Sequence, residues 1–175
     1  MVIKERINYI FHHYSVFHYL YRKIVAFFFR VIGVFVKTDN HLVLINSWVG
    51  KKYSDSPKVL FEAMRDDPRF KELKYVWAFE KPDKFTIRDA ECIKIDTWKY
   101  FITALKAKVW ITCVNIERGL SIKKKKTIYI NTWHGAGTKL IGNAPTGRNY
   151  YDLSCVNIML VQSDFERDIF IRDFN

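Results

Sequence analysis

His134 stands where a chain can present a general base. It follows Thr127-Ile-Tyr-Ile-Asn-Thr132, whose alternating β-branched and aromatic residues predict a strand. It precedes Gly135-Ala-Gly137, small residues that let the backbone turn sharply and come close to a ligand. An imidazole can accept a proton near neutral pH. Thr138 is placed to cap a short helix carrying Lys139, and the free N–H groups and ammonium there suit phosphate. A histidine, small residues and a lysine at the carboxyl end of a strand mark the ligand edge of an open α/β sheet. The same residues admit a quieter reading, in which Trp133 and His134 are partly buried at a strand end, the imidazole is hydrogen-bonded, and no chemistry takes place.

A second group lies between Ser47 and Pro57, where Gly50, Lys51, Lys52 and Asp55 make a polar loop after a first strand. Glycine and lysines in that position suit a phosphate-bearing ligand; a solvated strand-to-helix loop is the alternative. The loop is neither a P-loop nor a Gly-x-Gly-x-x-Gly, so neither a nucleoside triphosphate nor a dinucleotide site is indicated. Cys92, Cys113 and Cys155 are odd in number and widely spaced, and read as small buried apolar residues of a reducing compartment. No Cys-x-x-Cys or Cys/His cluster supports a metal site, and no cofactor is expected.

The elements that must position these groups alternate. Strands are predicted at His41–Asn46, Lys74–Phe79, Glu91–Ile95, Lys108–Thr112, Thr127–Thr132 and Val156–Gln162. Helices are predicted from Pro57, capped by Ser56, to Asp66, from Thr97 to Lys106, and from the capping-box spacing at Ser163-Asp-Phe-Glu166 towards Phe174. Strands alternating with helices predict an α/β protein with a doubly wound, Rossmann-like, mostly parallel sheet over residues 39–175.

Residues 1–38 read as a separate segment. Ile3, Ile7, Ile10, Tyr14, Phe17, Tyr21, Ile24, Phe28, Val31 and Phe35 recur at spacings of three and four, one face of a long helix. Lys4, Arg22, Arg30 and Lys37 fall roughly opposite. Charges at 22, 23, 30 and 37 interrupt it too often for a transmembrane span, and no small-residue cleavage site follows it. A basic amphipathic helix in the headgroup layer is expected, with Arg22, Lys23, Phe28 and Arg30 as membrane contacts. Packing on the protein's own core is the alternative.

The chain's 29 Lys and Arg against 18 Asp and Glu give a formal charge of +11. Such a surplus favours anionic partners. Nucleic acid is not expected, because no helix-turn-helix, RRM or zinc-finger pattern is visible and the aromatics follow core periodicity. A run of lysines, Lys123–Lys126, would add attraction to an anionic membrane.

Asn131-Thr-Trp-His-Gly-Ala-Gly-Thr-Lys-Leu-Ile-Gly142 resembles the Thr-Trp-His-Gly-Thr-Pro-x-Lys-x-x-Gly signature of the CDP-glycerol glycerophosphotransferase family, the teichoic acid polymerases and primases. Asn46-Ser-Trp-Val-Gly-Lys-Lys-Tyr-Ser-Asp-Ser-Pro57 is similar to that family's first strand and loop, and Ala107-Lys-Val-Trp-Ile-Thr112 to its Ala-Lys-x-Trp-Ile strand. The three occur in family order across residues 42–175, with Ala136-Gly137 in place of Thr-Pro and Ser56 in place of Asn. The resemblance implies the N-terminal, acceptor-side half of a two-domain GT-B transferase, with the donor-binding C-terminal domain outside this chain. It implies transfer of glycerol phosphate, or a related alditol phosphate, from CDP-glycerol or another CDP-alditol to a lipid-linked acceptor hydroxyl. Such an enzyme would work in teichoic acid or capsule-type polymer synthesis, peripherally on the cytoplasmic face of the cell membrane. His134 would be the catalytic base, with Gly50, Asp55, Gly135, Gly137 and Lys139 lining the substrate site. A non-catalytic membrane-surface module is the rival reading; it accounts for the basic helix and the lysine run but not for the His-Gly loop.

Overall fold

The computed structural model describes residues 15–135, 140–145 and 152–174, with side chains in the first helix described from Tyr19 onward. Gly137, Lys139, the expected cap Thr138 and positions 1–14 lie outside the described residues. The strands are β1 (Asp39–Asn46), β2 (Lys74–Phe79), β3 (Ala90–Lys94), β4 (Ala107–Thr112), β5 (Ile128–Asn131) and β6 (Ile158–Met159). The helices are α1 (Ser15–Phe35), α2 (Asp55–Asp66), α3 (Trp98–Lys106) and α4 (Asp164–Asp173). All strand pairs are parallel, in the order β3-β2-β1-β4-β5-β6. That is the doubly wound order, and its direction of travel reverses between β1 and β4.

The period-two alternation of each strand builds two cores. Leu44, Val76, Ala78, Ile93, Trp110 and Tyr129 face α3, while Val43, Ile45, Tyr75, Trp77, Phe79 and Ile111 face α2. Phe61 of α2 is completely buried against Tyr75 and Trp77; burying such a side chain contributes about 1.5–3 kcal/mol. Two positions on that face, the Tyr75 hydroxyl and the Trp77 indole N–H, are buried without a hydrogen-bond partner.

Three local expectations differ. β6 is two residues long rather than seven, because its partner β5 ends at Asn131 and the chain turns away at Trp133, whose φ is +57°. α2 begins at Asp55, not at a Ser56 cap: the Asp55 carboxylate accepts from the Ser56 N–H at 2.8 Å. The first helix is part of the domain's own core. Ala26 and Phe29 are buried with the α3-side cluster, Phe29 lies 4.6 Å from the Phe101 ring, and Gly33 sits against Leu105. The packing stripe runs through Val25, Ala26, Phe29, Ile32 and Val36, next to the expected apolar face, leaving Ile24, Phe28, Val31 and Phe35 exposed. Among the described residues no helix is long and apolar enough to cross a membrane.

Candidate active site at the β1/β4 switch point

Two four-residue stretches end neighbouring parts of the sheet in the same way: Ile45-Asn-Ser-Trp48 after β1 and Ile130-Asn-Thr-Trp133 after β5. Both asparagines are essentially fully buried. The Asn46 amide donates to the Asn115 carbonyl at 3.2 Å, and its oxygen accepts from the Thr112 hydroxyl at 2.5 Å. The Asn131 amide donates to the Val114 carbonyl at 3.3 Å, and its oxygen accepts from the Trp133 N–H at 2.8 Å. The segment after β4 is thereby held from both sides. Each buried amide left unpaired would cost about 1–3 kcal/mol, so these bonds fix the segment's path.

That path aims the Cys113 carbonyl at His134, with Nδ1 2.6 Å from the oxygen. A carbonyl only accepts, so Nδ1 carries the proton and Nε2 presents its lone pair. This is the tautomer a general base requires. Two indoles flank the ring: Trp48 meets it edge-on at 5.2 Å and Trp133 lies tilted at 4.9 Å. The Lys52 ammonium stands 5.4 Å from the centre of the Trp48 ring, which brings a cation to the same edge of the sheet.

The backbone is strained where these groups meet. Trp48, Val49, Asp55 and Trp133 have φ of +49°, +57°, +67° and +57°. Left-handed geometry costs a non-glycine residue about 1–2 kcal/mol; Asp89, Asp96, Arg118 and Ser121 adopt it in other loops.

Of the substrate-site residues named from sequence, Gly50 is buried with φ +81°, and a Cβ there would stand 3.0–3.1 Å from the backbone of Ala78, Phe79 and Glu80. Gly50 therefore shapes the loop by seating it on the end of β2, where its carbonyl accepts from the Glu80 N–H at 2.8 Å. Asp55 is exposed at the same edge, close enough that its charge helps burial push the Cys113 thiol up. Gly135 has φ +124°, a left-handed turn directly after His134. Trp48, Cys113, Asn46 and Asn131 were not singled out from sequence. The repeated Ile-Asn-Ser/Thr-Trp was the signal available for three of them; nothing in sequence marks a backbone carbonyl.

The expected membrane contacts divide. Arg22 and Arg30, both exposed, donate to the carbonyls of Gly119 and, at 2.9 Å, Ser121 of the same domain. Lys23 lies over the Tyr19 ring, and Phe28 is half exposed beside Trp98. The cysteines are unpaired; Cys113 is buried and the other two half-buried. Among the described residues no cluster of three potential metal ligands occurs.

The model of the CDP-Glycerol:Poly(glycerophosphate) glycerophosphotransferase family matches residues 27–175. The chain belongs to this family. It is 33% identical over 111 residues to a teichoic acid poly(glycerol phosphate) polymerase of Staphylococcus epidermidis, covering 61% of this chain and 15% of that protein. It is 28% identical over 106 residues to a teichoic acid glycerol-phosphate transferase of Staphylococcus aureus, covering 59% of this chain and 26% of that one. In three dimensions it is similar to the wall teichoic acid polymerase TagF, with a TM-score of 0.71 at 24% identity over 83% of this chain and 39% of TagF. A TagF structure soaked with CDPG gives 0.74 at 20% identity over 99% of this chain and 47% of that one. The chain thus spans less than a third of those two relatives and less than half of TagF. At this identity the likeness to TagF speaks for the fold; membership of the family rests on the match across residues 27–175.

Proposed function

We propose that this chain is the acceptor-side half of a GT-B glycerophosphotransferase that moves glycerol phosphate from CDP-glycerol, or a related CDP-alditol, to a lipid-linked hydroxyl. The carrying observation is the His134 geometry: Nδ1 committed to the Cys113 carbonyl, Nε2 free, at the switch point of a family member's sheet. In the step itself, Nε2 takes the acceptor's proton as the acceptor oxygen bonds to the glycerol-bearing phosphorus. The bond from that phosphorus to the bridging oxygen breaks, and CMP leaves with the electron pair. Such transfers depend on positioning and charge neutralisation more than on covalent chemistry. Lys52, over the Trp48 ring that touches His134, is suited to a donor phosphate. Gly137 and Lys139, which lie outside the described residues, stay substrate-site candidates on the strength of the sequence resemblance.

The apolar surface of α1 and the lysines beside it support a peripheral position on the cytoplasmic face of the membrane, where a lipid-linked acceptor would be met.

The deciding experiment measures CMP release from CDP-glycerol by the full-length gene product with a lipid-linked acceptor analogue, beside His134→Ala. Turnover in the wild type alone is expected. Retained turnover in a folded His134→Ala protein overturns the base assignment, and no release from any CDP-alditol overturns the reaction.

A further inference from the structure

The lysine run is tied to the end of α1 through Lys124, while Lys125 and Lys126 stay exposed. The Thr127 N–H donates to the Lys124 carbonyl at 3.0 Å, closing a tight turn, and the buried Thr127 hydroxyl donates to the Ala107 carbonyl at 3.1 Å. Lys108 reaches the Lys126 carbonyl at 2.7 Å. The Lys124 ammonium donates to the Val36 carbonyl, the natural role of a cation at a helix C-terminus. Lys37, Lys125 and Lys126 have no such role and are exposed.

These residues line a groove of about 460 Å³ with Thr38 and Asn40. The groove lies where β1 and β5 begin, at the sheet edge opposite His134, so it is not part of the transfer site. Among the described residues the lysines in ion pairs are Lys58, Lys74 and Lys99. Asp39, the acid nearest in sequence, accepts from Lys74 at 3.4 Å. Four ammonium groups are therefore gathered without a carboxylate among them, an arrangement that an anion would relieve. Burial and the neighbouring Lys126 both push the Lys124 ammonium down, in keeping with that crowding.

The groove opens beside an apolar ledge. Val34 and Phe35 at the end of α1 are 80% and 83% exposed, and Val31 and Phe27 continue the surface along the helix. Ammonium, hydroxyl and amide donors next to an exposed apolar strip match a phosphate that carries acyl chains.

We propose that this groove is a binding site for the phosphate headgroup of an anionic phospholipid, held by Lys37, Lys125 and Lys126 with its chains against Val34 and Phe35. It rests on the membrane-surface reading of α1 and adds to it a discrete ligand site. The occupant is a phospholipid rather than a soluble polyanion, because the ledge would have nothing to cover it in the second case.

The test compares the whole chain, wild type, with two triple variants. The groove variant is Lys37→Gln/Lys125→Gln/Lys126→Gln; the control, Lys81→Gln/Lys84→Gln/Lys94→Gln, removes equal charge from exposed lysines elsewhere. Partition is measured onto vesicles of equimolar phosphatidylcholine and phosphatidylglycerol, with inorganic phosphate and a soluble poly(glycerol phosphate) as competitors, and melting curves verify folding. A lysine near an anionic surface is worth roughly fivefold in partition. The groove variant should bind about 100-fold more weakly than wild type, and the control at least about tenfold more tightly than the groove variant. Equal loss in both variants overturns the groove in favour of diffuse attraction. Displacement by millimolar phosphate or by the polymer in preference to vesicles overturns the lipid as occupant. Failure of the wild type to bind vesicles at all overturns the membrane reading together with the site.

Discussion

The ring of His134 is aimed by a backbone oxygen, that of Cys113, 2.6 Å away and 21 residues earlier in the chain. The tautomer of His134 therefore depends on where the segment after β4 runs, and two buried asparagines decide that.

Replacing either asparagine should consequently act at a distance. Asn131→Ala and Asn46→Ala are each expected to cost about 1–3 kcal/mol in urea unfolding, because the bonds of a buried amide to the Val114 or Asn115 carbonyl are lost. Turnover measured on the folded fraction should fall as well, with kcat affected more than KM. A stability loss with unchanged kcat would mean that Cys113 keeps its place unaided.

Trp48 offers the complementary case. Its ring is 37% exposed and touches the imidazole edge-on. Trp48→Ala should reduce CMP release about 10- to 100-fold by loosening the ring of His134, while the urea midpoint moves little. Trp48→Phe should recover most of the rate, since an aromatic edge contact is kept.

Gly50 is a stability position next to the site. Gly50→Ala would force a Cβ against the backbone of β2 at a φ of +81°, and should destabilise by about 2–4 kcal/mol. Chemical denaturation of the purified variant measures this directly.

The alkaline limb of stability should be set by tyrosines. Burial, followed by the hydrogen bond to Glu62, pushes Tyr53 up to about 12 from the usual 10.0. Burial raises Tyr100 and Tyr129 further. A phenol whose folded value is raised keeps its proton while the unfolded chain loses it, so its contribution is intact below pH 10.0 and is lost as pH rises towards about 12. The urea midpoint should fall across that window, and Tyr53→Phe should flatten the fall. A midpoint that rises with pH there would contradict the assignment.

Much of this arrangement is written locally. The continuous apolar runs in Lys74–Phe79 and Asp39–Asn46 mark strands covered on both faces, and Thr97 and Ser163 accept from the Tyr100 and Glu166 N–H groups as capping residues should. His134 was legible from its strand and glycine. The register was not: that Asn46 meets Thr112, and that both asparagines grip the segment between them, depends on parallel pairing over 66 residues. The stripe of α1 that packs on the domain lies one step round the helix from the apolar face read in sequence, which stays exposed. The exposed apolar residues between Tyr19 and Phe35 form one candidate stripe and Val25, Ala26, Phe29, Ile32 and Val36 another, and only contact with Phe101 and Leu105 selects the buried one.

That contact has a consequence for synthesis. Arg22 and Arg30 are held by carbonyls 97 and 91 residues downstream. On a ribosome adding about 5–20 residues per second, the helix waits about 5–20 s for those partners. It therefore emerges with both of its apolar stripes uncovered. Whatever first meets the nascent helix, a bilayer or a chaperone, does so before the domain that will take one stripe exists.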